Sequence, residues 1–581
     1  MKRRSIERHS IVHRQAILFL AAMALSLSLQ GQQKEVRVVK PYSPTLSGAE
    51  KIQLLPSLEE EIAYDTPEFS YQLYPKKYKS EFQPEPIKAA RMVKMPLKKL
   101  YKSQLTLGFG NYMTPLAEVR INQLRSRNGT LGFDLKHHSM NGKMKLNDDV
   151  KVPAGFNENN ARLYGSRFLR NAVVDFAAGA AYNSYVHYGV DTAMVSGELE
   201  RDSLKHVYFL AEAEIGLHSM HADSFHLNYD ARLDYHYFTH RFDQAEHGAK
   251  LDLHFDRKLS SLDIAGDGGA AFYGHYPDWD TLTGNHMMVW LSPQVAKGSS
   301  EWMFTAGFNT TLSFLDGQGT VHLYPKATFQ FNVVREVIVP YFGVDGYMES
   351  NPYRRTLEEN PYVIPSLSLE PTSHRLIGYA GLKGRLTDMF SYQLKGSYSI
   401  IDNQYFFVND TSQALKNQFS VVYSDITLLR LQGELAVRPS ESWKIFLRGN
   451  YYKYTLSTMT PAGGVSRNVR DDDHPWNKPS FDISLEARYN MADKILVNAG
   501  IYAIGKRYYE DFNYDFVNDV PADLEESLPL AVDANLGIEY RYSKLLSFWV
   551  RINNLAAQKY YLYHQYPDFR FRVMLGFNYT L

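Results

Sequence analysis

At 581 residues, with 63 basic and 63 acidic side chains, no formal net charge and no cysteine, the chain excludes several classes at the outset. It offers no basic excess for a nucleic acid, and the absence of Cys rules out a disulfide scaffold or a Cys-ligated metal. The length exceeds one ordinary soluble core and implies several domains, unless the fold is a large barrel in which each strand needs only its neighbours; 42 Tyr and 32 Phe suit strands and the aromatic girdles of membrane barrels.

The first residues read as a secretory signal. Lys2, Arg3, Arg4, Arg8 and Arg14 precede an apolar run from Ala16 to Leu29, and Gln30, Gly31 and Gln32 come after it, so residues 1–31 are expected to be a signal peptide cleaved after Gly31. An anchoring helix is the alternative, but the run is short for a span. No later uninterrupted apolar stretch is long enough for a transmembrane helix.

Residues 32–100 differ from the rest of the chain. Pro41, Pro44, Pro56, Pro67, Pro75, Pro84, Pro86 and Pro96 oppose both helix interiors and central strands, and short clusters such as Glu59-Glu60-Glu61 and Lys76-Lys77 break any apolar pattern. The expectation is an extended periplasmic arm. It is either a disordered leader or a segment, residues 34–94, that orders in the lumen or on a periplasmic or lipoprotein partner.

From residue 101 to 581 strict alternation takes over. Phe225, Leu227, Tyr229, Ala231, Leu233, Tyr235 and Tyr237 share one face of an extended strand, and His226, Asn228, Asp230, Arg232, Asp234 and His236 share the other. Ala249, Leu251, Leu253 and Phe255 then oppose Lys250, Asp252, His254 and Asp256, and near the end Ala534, Leu536, Ile538 and Tyr540 oppose Asp533, Asn535, Glu539 and Arg541. The last stretch places Phe569, Phe571, Val573, Leu575, Phe577, Tyr579 and Leu581 opposite Arg570, Arg572, Gly576, Asn578 and Thr580. Charges this regular fit a wetted lumen better than a sandwich core, so His226, Asp230, Arg232, Asp234, His236, Arg570 and Arg572 are expected to face the lumen of a barrel whose other face meets outer-membrane lipid.

Short connections recur near Arg127-Asn128-Gly129, Leu169-Arg170-Asn171, Ala222-Asp223, Leu259-Ser260-Ser261, Lys297-Gly298-Ser299, Val334-Arg335-Glu336, Thr387-Asp388-Met389, Pro439-Ser440-Glu441, Ala492-Asp493-Lys494 and Ser543-Lys544. If these ten are the periplasmic turns and both barrel ends lie on that rim, the fold is an all-β, transmembrane antiparallel β-barrel of about 22 strands with a Pro-rich N-terminal arm, in the cell outer membrane. Most other connections are read as long loops, notably 141–158, 350–372, 457–478 and 508–528.

Gly108-Phe109-Gly110-Asn111-Tyr112-Met113-Thr114-Pro115-Leu116, the segment from Asn360-Pro361-Tyr362 to Glu370-Pro371-Thr372, and Asn553-Asn554-Leu555 with Lys559-Tyr560 and Tyr566-Pro567 resemble the barrel of TonB-dependent receptors of Bacteroidetes type. The arm, with its Glu35 to Thr45 and Pro86 to Met92 segments, resembles the leader of a receptor-like subgroup. The resemblance implies a receptor-type barrel for passage or uptake of small polar solutes. Receptors of that family carry a folded plug ahead of the barrel, whereas residues 32–100 are too few and too Pro-rich to supply one, and no TonB-contacting box is evident. The resemblance is therefore to a plugless form. The alternative reading is a membrane anchor that docks a partner in an envelope assembly.

Two constellations could bind something. Histidines crowd the segment from His206 to His254, as metal ligands if neighbouring strands gather them or simply as polar lumen and rim residues. The 508–527 loop holds Glu510, Asp511, Tyr514 and Asp515 among other acids and aromatics, either a site for a cation or a stacked sugar or a solvated acidic loop. Asp471-Asp472-Asp473 lacks the Gly and terminal Glu of a helix-loop-helix calcium site, and Asn128-Gly129 reads as a hairpin turn. No Gly-x-Ser-x-Gly elbow, His-Glu-x-x-His or phosphate loop occurs, so no catalytic residue, cofactor or metal ligand is assigned and no enzyme is expected.

Overall fold

The computed structural model describes residues 100–581, except 124–125, 147–149, 193–194, 196, 221–225, 242–243, 277–284, 366, 368, 411, 413–414, 462–463, 465, 471–472, 511–513, 516–519 and 522–525. The expected signal peptide and the arm up to residue 99 lie outside the described residues.

Alternating side chains and short turns build one closed antiparallel barrel of 22 strands. In chain order these are β1 Ser103–Gly110, β2 Thr114–Asn122, β3 Gly129–Lys145, β4 Lys151–Phe168, β5 Ala172–Val186, β6 Lys205–Ser219, β7 Asn228–His240, β8 Ala245–Leu259, β9 Leu262–Tyr276, β10 His286–Gly298 and β11 Trp302–Leu315. The ring continues with β12 Gln318–Phe331, β13 Val339–Glu349, β14 Thr372–Thr387, β15 Phe390–Asn409, β16 Phe419–Ser440, β17 Trp443–Leu456, β18 Phe481–Met491, β19 Ile495–Ile504, β20 Ala531–Arg541, β21 Leu546–Asn553 and β22 Arg572–Thr580. Each strand pairs with the next, and β22 closes on β1 with Gln104 opposite Thr580 and Gly110 opposite Met574. Closure leaves no backbone edge, the condition for a sheet in hydrocarbon.

The two rims differ. On one lie both chain ends of the barrel and the short turns; Ala492 and Asp493, for example, adopt positive φ of 50° and 57° to reverse the chain into β19. The opposite rim carries the long connections, although it also holds tight turns such as Asp316-Gly317, where φ of 50° and 78° joins β11 to β12 as an Asp-Gly hairpin does. Three boundaries depart from the sequence expectation. The 141–158 stretch is not a loop: β3 and β4 stay paired as far as Lys145 and Lys151, and the Leu146 amide still donates to the Val150 carbonyl beyond them. Strand β7 starts at Asn228, so His226 lies in the preceding turn rather than on a strand face. Strand β22 starts at Arg572; Phe569 is buried among the loops instead of facing lipid, because the Asp568 carboxylate, held by Tyr560 and Arg572, turns the chain inward before the strand begins.

Outward positions form an apolar band. Leu131, Leu163, Leu233, Leu253, Leu323, Leu394 and Leu431 are all exposed large apolar side chains, at alternate positions with polar neighbours pointing the other way. Exposed surface of this kind is incompatible with water contact on such a scale, and it is the surface a membrane barrel presents to lipid.

Candidate functional site

The inner wall is charged. Arg162 pairs with Glu214 at 3.1 Å, Arg232 with Glu214 at 3.4 Å, Lys250 with Asp252 at 2.9 Å, and His254 with Asp267 at 2.6 Å, while Lys326 reaches Asp267 at 3.7 Å. Arg232 and Lys250 remain 53% and 45% exposed, so these are solvated pairs, individually worth at most about 1 kcal/mol. Their consequence is a polar surface rather than a rigid brace.

The sequence-derived candidates fall at different places on this wall. Asp230, Arg232, Asp234 and His236 share the β7 face opposite the exposed Leu233 and Tyr235. Asp234 and His236 line a cavity of about 470 Å³ together with Glu212, Glu214, Lys250 and Arg354. Arg572 bonds Asp568 at 3.0 Å at the head of β22, and Arg570 is exposed in the loop before it.

Above this wall, at the long-loop rim, the connections interlock. The loops 187–204, 350–371, 410–418, 457–480, 505–530 and 554–571 leave from strands at several points of the ring, and contacts such as Tyr188 with Pro567 and Tyr566 with Asn417 join loops that are not neighbours on the rim. A seven-residue helix, Tyr353–Glu359, is the centre of this cap. Its N-terminus rests on Glu246 of β8, a carboxylate with 0% exposure that accepts the Tyr353 amide at 2.6 Å and the Arg354 amide at 3.3 Å. Those first-turn amides have no partner within the helix, which is why a carboxylate is stable there. His236 Nε2 lies 3.1 Å from the same carboxylate, tying the cap to the inner wall.

The other end of the helix is held by β15 and by two further loops. Lys478 Nζ donates to Glu359 Oε1 at 2.7 Å, the Tyr405 hydroxyl bonds the other carboxylate oxygen, and Tyr563 Oη donates to the Glu359 carbonyl at 2.9 Å. Burial raises the Glu359 carboxyl pKa, but Lys478, Tyr405 and Arg355 overcome it and hold the group below its usual value. Beside the helix, Tyr362 stacks on Tyr566 with centroids 3.8 Å apart, and Tyr566 donates its hydroxyl to the Asn417 carbonyl. Asn417 Nδ2 in turn donates to the His187 carbonyl at 2.7 Å, and Tyr188 Oη donates to the Pro567 carbonyl at 2.8 Å. Gly189 is required here, since a Cβ would fall 2.3 Å from the Tyr566 ring.

Three histidine rings complete the seal. His187 and His206 stack at 3.7 Å with 7° between planes, and burial pushes the His187 imidazole well below its ordinary pKa, with His206 adding to the shift. His564 stacks on Tyr509 at 3.8 Å, and burial lowers it to about 4. Arg507 donates to the carbonyls of Tyr561 and Leu562, binding the 505–530 loop to the 554–571 loop.

Of the acidic-loop candidates, Glu510 is partly buried, Asp511 lies outside the described residues, and Tyr514 and Asp515 form a short backbone ladder with Pro521 and Val520. Among the described residues no group of three His, Asp or Glu is placed to hold a metal ion. Glu246, His187, Glu359 and Asn417 carry no signal in the sequence because their partners are distant in the chain. Tyr362 and Tyr566 do carry one: each adjoins a Pro in the receptor-like segments Asn360-Pro361-Tyr362 and Tyr566-Pro567.

No family model matches this sequence, and no curated protein matches it. Solved structures do. The FrpB iron transporter from Neisseria meningitidis (F3-3 variant) superposes with a TM-score of 0.62 at 9% identity, covering 84% of this chain and 82% of that one. The fold is that of outer-membrane transporter barrels. The copper transporter OprC matches with a TM-score of 0.60 at 10% identity over 84% of this chain and 82% of its own, and the siderophore receptor PiuA from Acinetobacter baumannii with 0.58 at 10% over 83% and 82%. At such identities the likeness is one of architecture. A closed barrel of this size with an apolar exterior sits in the cell outer membrane.

Proposed function

We propose that the chain is a TonB-dependent-receptor-like barrel for passage or uptake of small polar solutes, with the loop cap as the closure of its outer mouth. The observation that carries the reading is a charged, solvent-accessible inner wall beneath a cap assembled from loops that leave the ring at several separate points. A polar wall under a removable lid suits a solute that crosses in its hydrated form. The transporter and receptor structures that share the fold support it, and the anchoring alternative draws no support from them. In this reading residues 1–31 are a leader removed on export, residues 32–100 a periplasmic arm without a folded plug, and residues 34–94 the segment that enters the lumen or meets a periplasmic or lipoprotein partner. Asp230, Arg232, Asp234 and His236 then belong to the solute path, while Glu510, Asp511, Tyr514 and Asp515 stand in an outer loop that solute meets first.

Single-channel recording in a planar bilayer tests this, with the full chain beside a form lacking residues 34–94. The expected result is discrete conductance steps, larger in the deleted form if the arm occupies the lumen. Unchanged steps with loss of a co-purifying partner would place the arm outside the path. Absence of steps in both forms, even after the cap is loosened by Tyr566→Ala, would overturn the transport reading.

A further inference from the structure

The outer surface of β5, β6 and β7 carries a groove that transport does not use. Tyr182, Phe209 and Thr239 are register partners across the three strands, and Tyr182 and Phe209 are 50% and 37% exposed on the lipid side, the side of Ile215, Leu217 and Leu233. Above them, toward the long-loop rim, Val207, Lys205, Arg241 and Asp202 enclose about 430 Å³, with the buried His240 at the back.

The height of this groove follows from a count along β6. Outward positions run Leu217, Ile215, Ala213, Ala211, Phe209, and the stretch from Phe209 to Leu217, about nine residues, is what a tilted strand needs to cross the hydrocarbon. Phe209 and its partner Tyr182 therefore stand at the upper edge of the apolar band, where aromatic girdles lie. Lys205, two outward positions further, stands at headgroup level. Arg241 is held there as well, because its Nη1 donates to the carbonyls of Asp202 at 2.9 Å and Lys205 at 3.1 Å. Two permanent cations against the single carboxylate of Asp202 leave the rim of the groove positive, while its floor is aromatic and aliphatic.

We propose that this groove binds a phosphorylated acyl lipid of the outer leaflet, its phosphate between Lys205 and Arg241 and an acyl chain along Val207, Phe209 and Tyr182. Guanidinium and ammonium groups form charge-assisted bonds with phosphate, strengthened by partial exclusion of water at the headgroup boundary, and each methylene laid on the floor adds hydrophobic burial. Neither half of the groove alone selects such a ligand. A free phosphate lacks the floor, and an uncharged lipid lacks the rim.

Native mass spectrometry of the detergent-purified full chain tests the proposal with three probes: a phosphorylated, multiply acylated glucosamine lipid, the same lipid with its phosphates removed, and inorganic phosphate. The phosphorylated lipid is expected to remain bound, with retention falling at least about tenfold for the dephosphorylated lipid and for Lys205→Glu. Lys205→Glu leaves the Arg241 bonds to backbone in place, so it keeps the test valid if Arg241→Gln disturbs the loop; heat-modifiable mobility on gels reports that the barrel is intact in either variant. Equal retention of the two lipids, equal retention by Lys205→Glu, or phosphate binding as tight as lipid binding would overturn the assignment.

Discussion

The wall and the cap are built from the same residue types and held by opposite means. On the wall, charged side chains such as Arg232 and Lys250 are half-exposed and paired loosely across strands, while the barrel itself is held by backbone ladders and lipid. In the cap, Glu246 and Tyr566 are fully buried, and their contacts join segments distant in the chain. A buried polar group that loses its partner costs much more than an exposed pair that separates. Substitutions in the cap are therefore expected to open the mouth without unfolding the barrel, and substitutions in the wall to alter what passes without altering stability.

The largest separation of the two regions is expected from Tyr566→Ala. Removing a fully buried ring that stacks on Tyr362 and bonds Asn417 should destabilise the cap by about 3–5 kcal/mol. Limited proteolysis should then cut in the 410–418 and 554–571 loops while the heat-modifiable mobility of the barrel is retained. Cleavage inside the strands, or no new cleavage, would break the distinction.

Glu246→Gln comes next, because it leaves two helix amides and His236 facing a weaker acceptor, a loss of about 1–3 kcal/mol. The expected readout is more frequent conductance steps at unchanged step size. A change of step size with unchanged frequency would assign Glu246 to the wall rather than to the latch.

Acidification should act on the cap in the same direction. His187 and His564 have pKa values in the folded cap below their ordinary value near 6.5, so the open state binds more protons in the interval beneath it. Cap stability is complete above pH 6.5 and declines as pH falls, for His564 down to about 4. Proteolytic sensitivity measured between pH 7.5 and 4.5 should rise through that window, and His187→Phe should reduce the rise. A flat profile would remove the histidines from the seal.

The smallest effect is expected for Arg232→Gln. Loss of its 3.4 Å pairing with Glu214 should change stability by less than about 1 kcal/mol, since both partners are solvated. Reversal potential in a salt gradient should nevertheless move toward cations, because one positive charge leaves the wall while Glu214 and Asp234 remain. No movement would take Arg232 out of the solute path.

What the sequence determined by itself was local and periodic: a barrel, its 22 staves and the two unlike rims, because strand alternation and turn chemistry involve residues adjacent in the chain or directly across a hairpin. The same locality explains the misplaced boundaries. Alternation continues through His226 to Leu227 and Phe569 to Phe571, and nothing in those residues records that the strand begins only at Asn228 or that the pinned Asp568 interrupts it. The 141–158 stretch carries polar and glycine residues that read as loop, yet β3 and β4 support each other through it. Only the tertiary structure decided the cap, where Glu246 meets an amide more than a hundred residues away and Tyr566 meets Asn417. Such contacts arise because ring closure brings loops from around the barrel to one mouth, and that juxtaposition leaves no period in the chain.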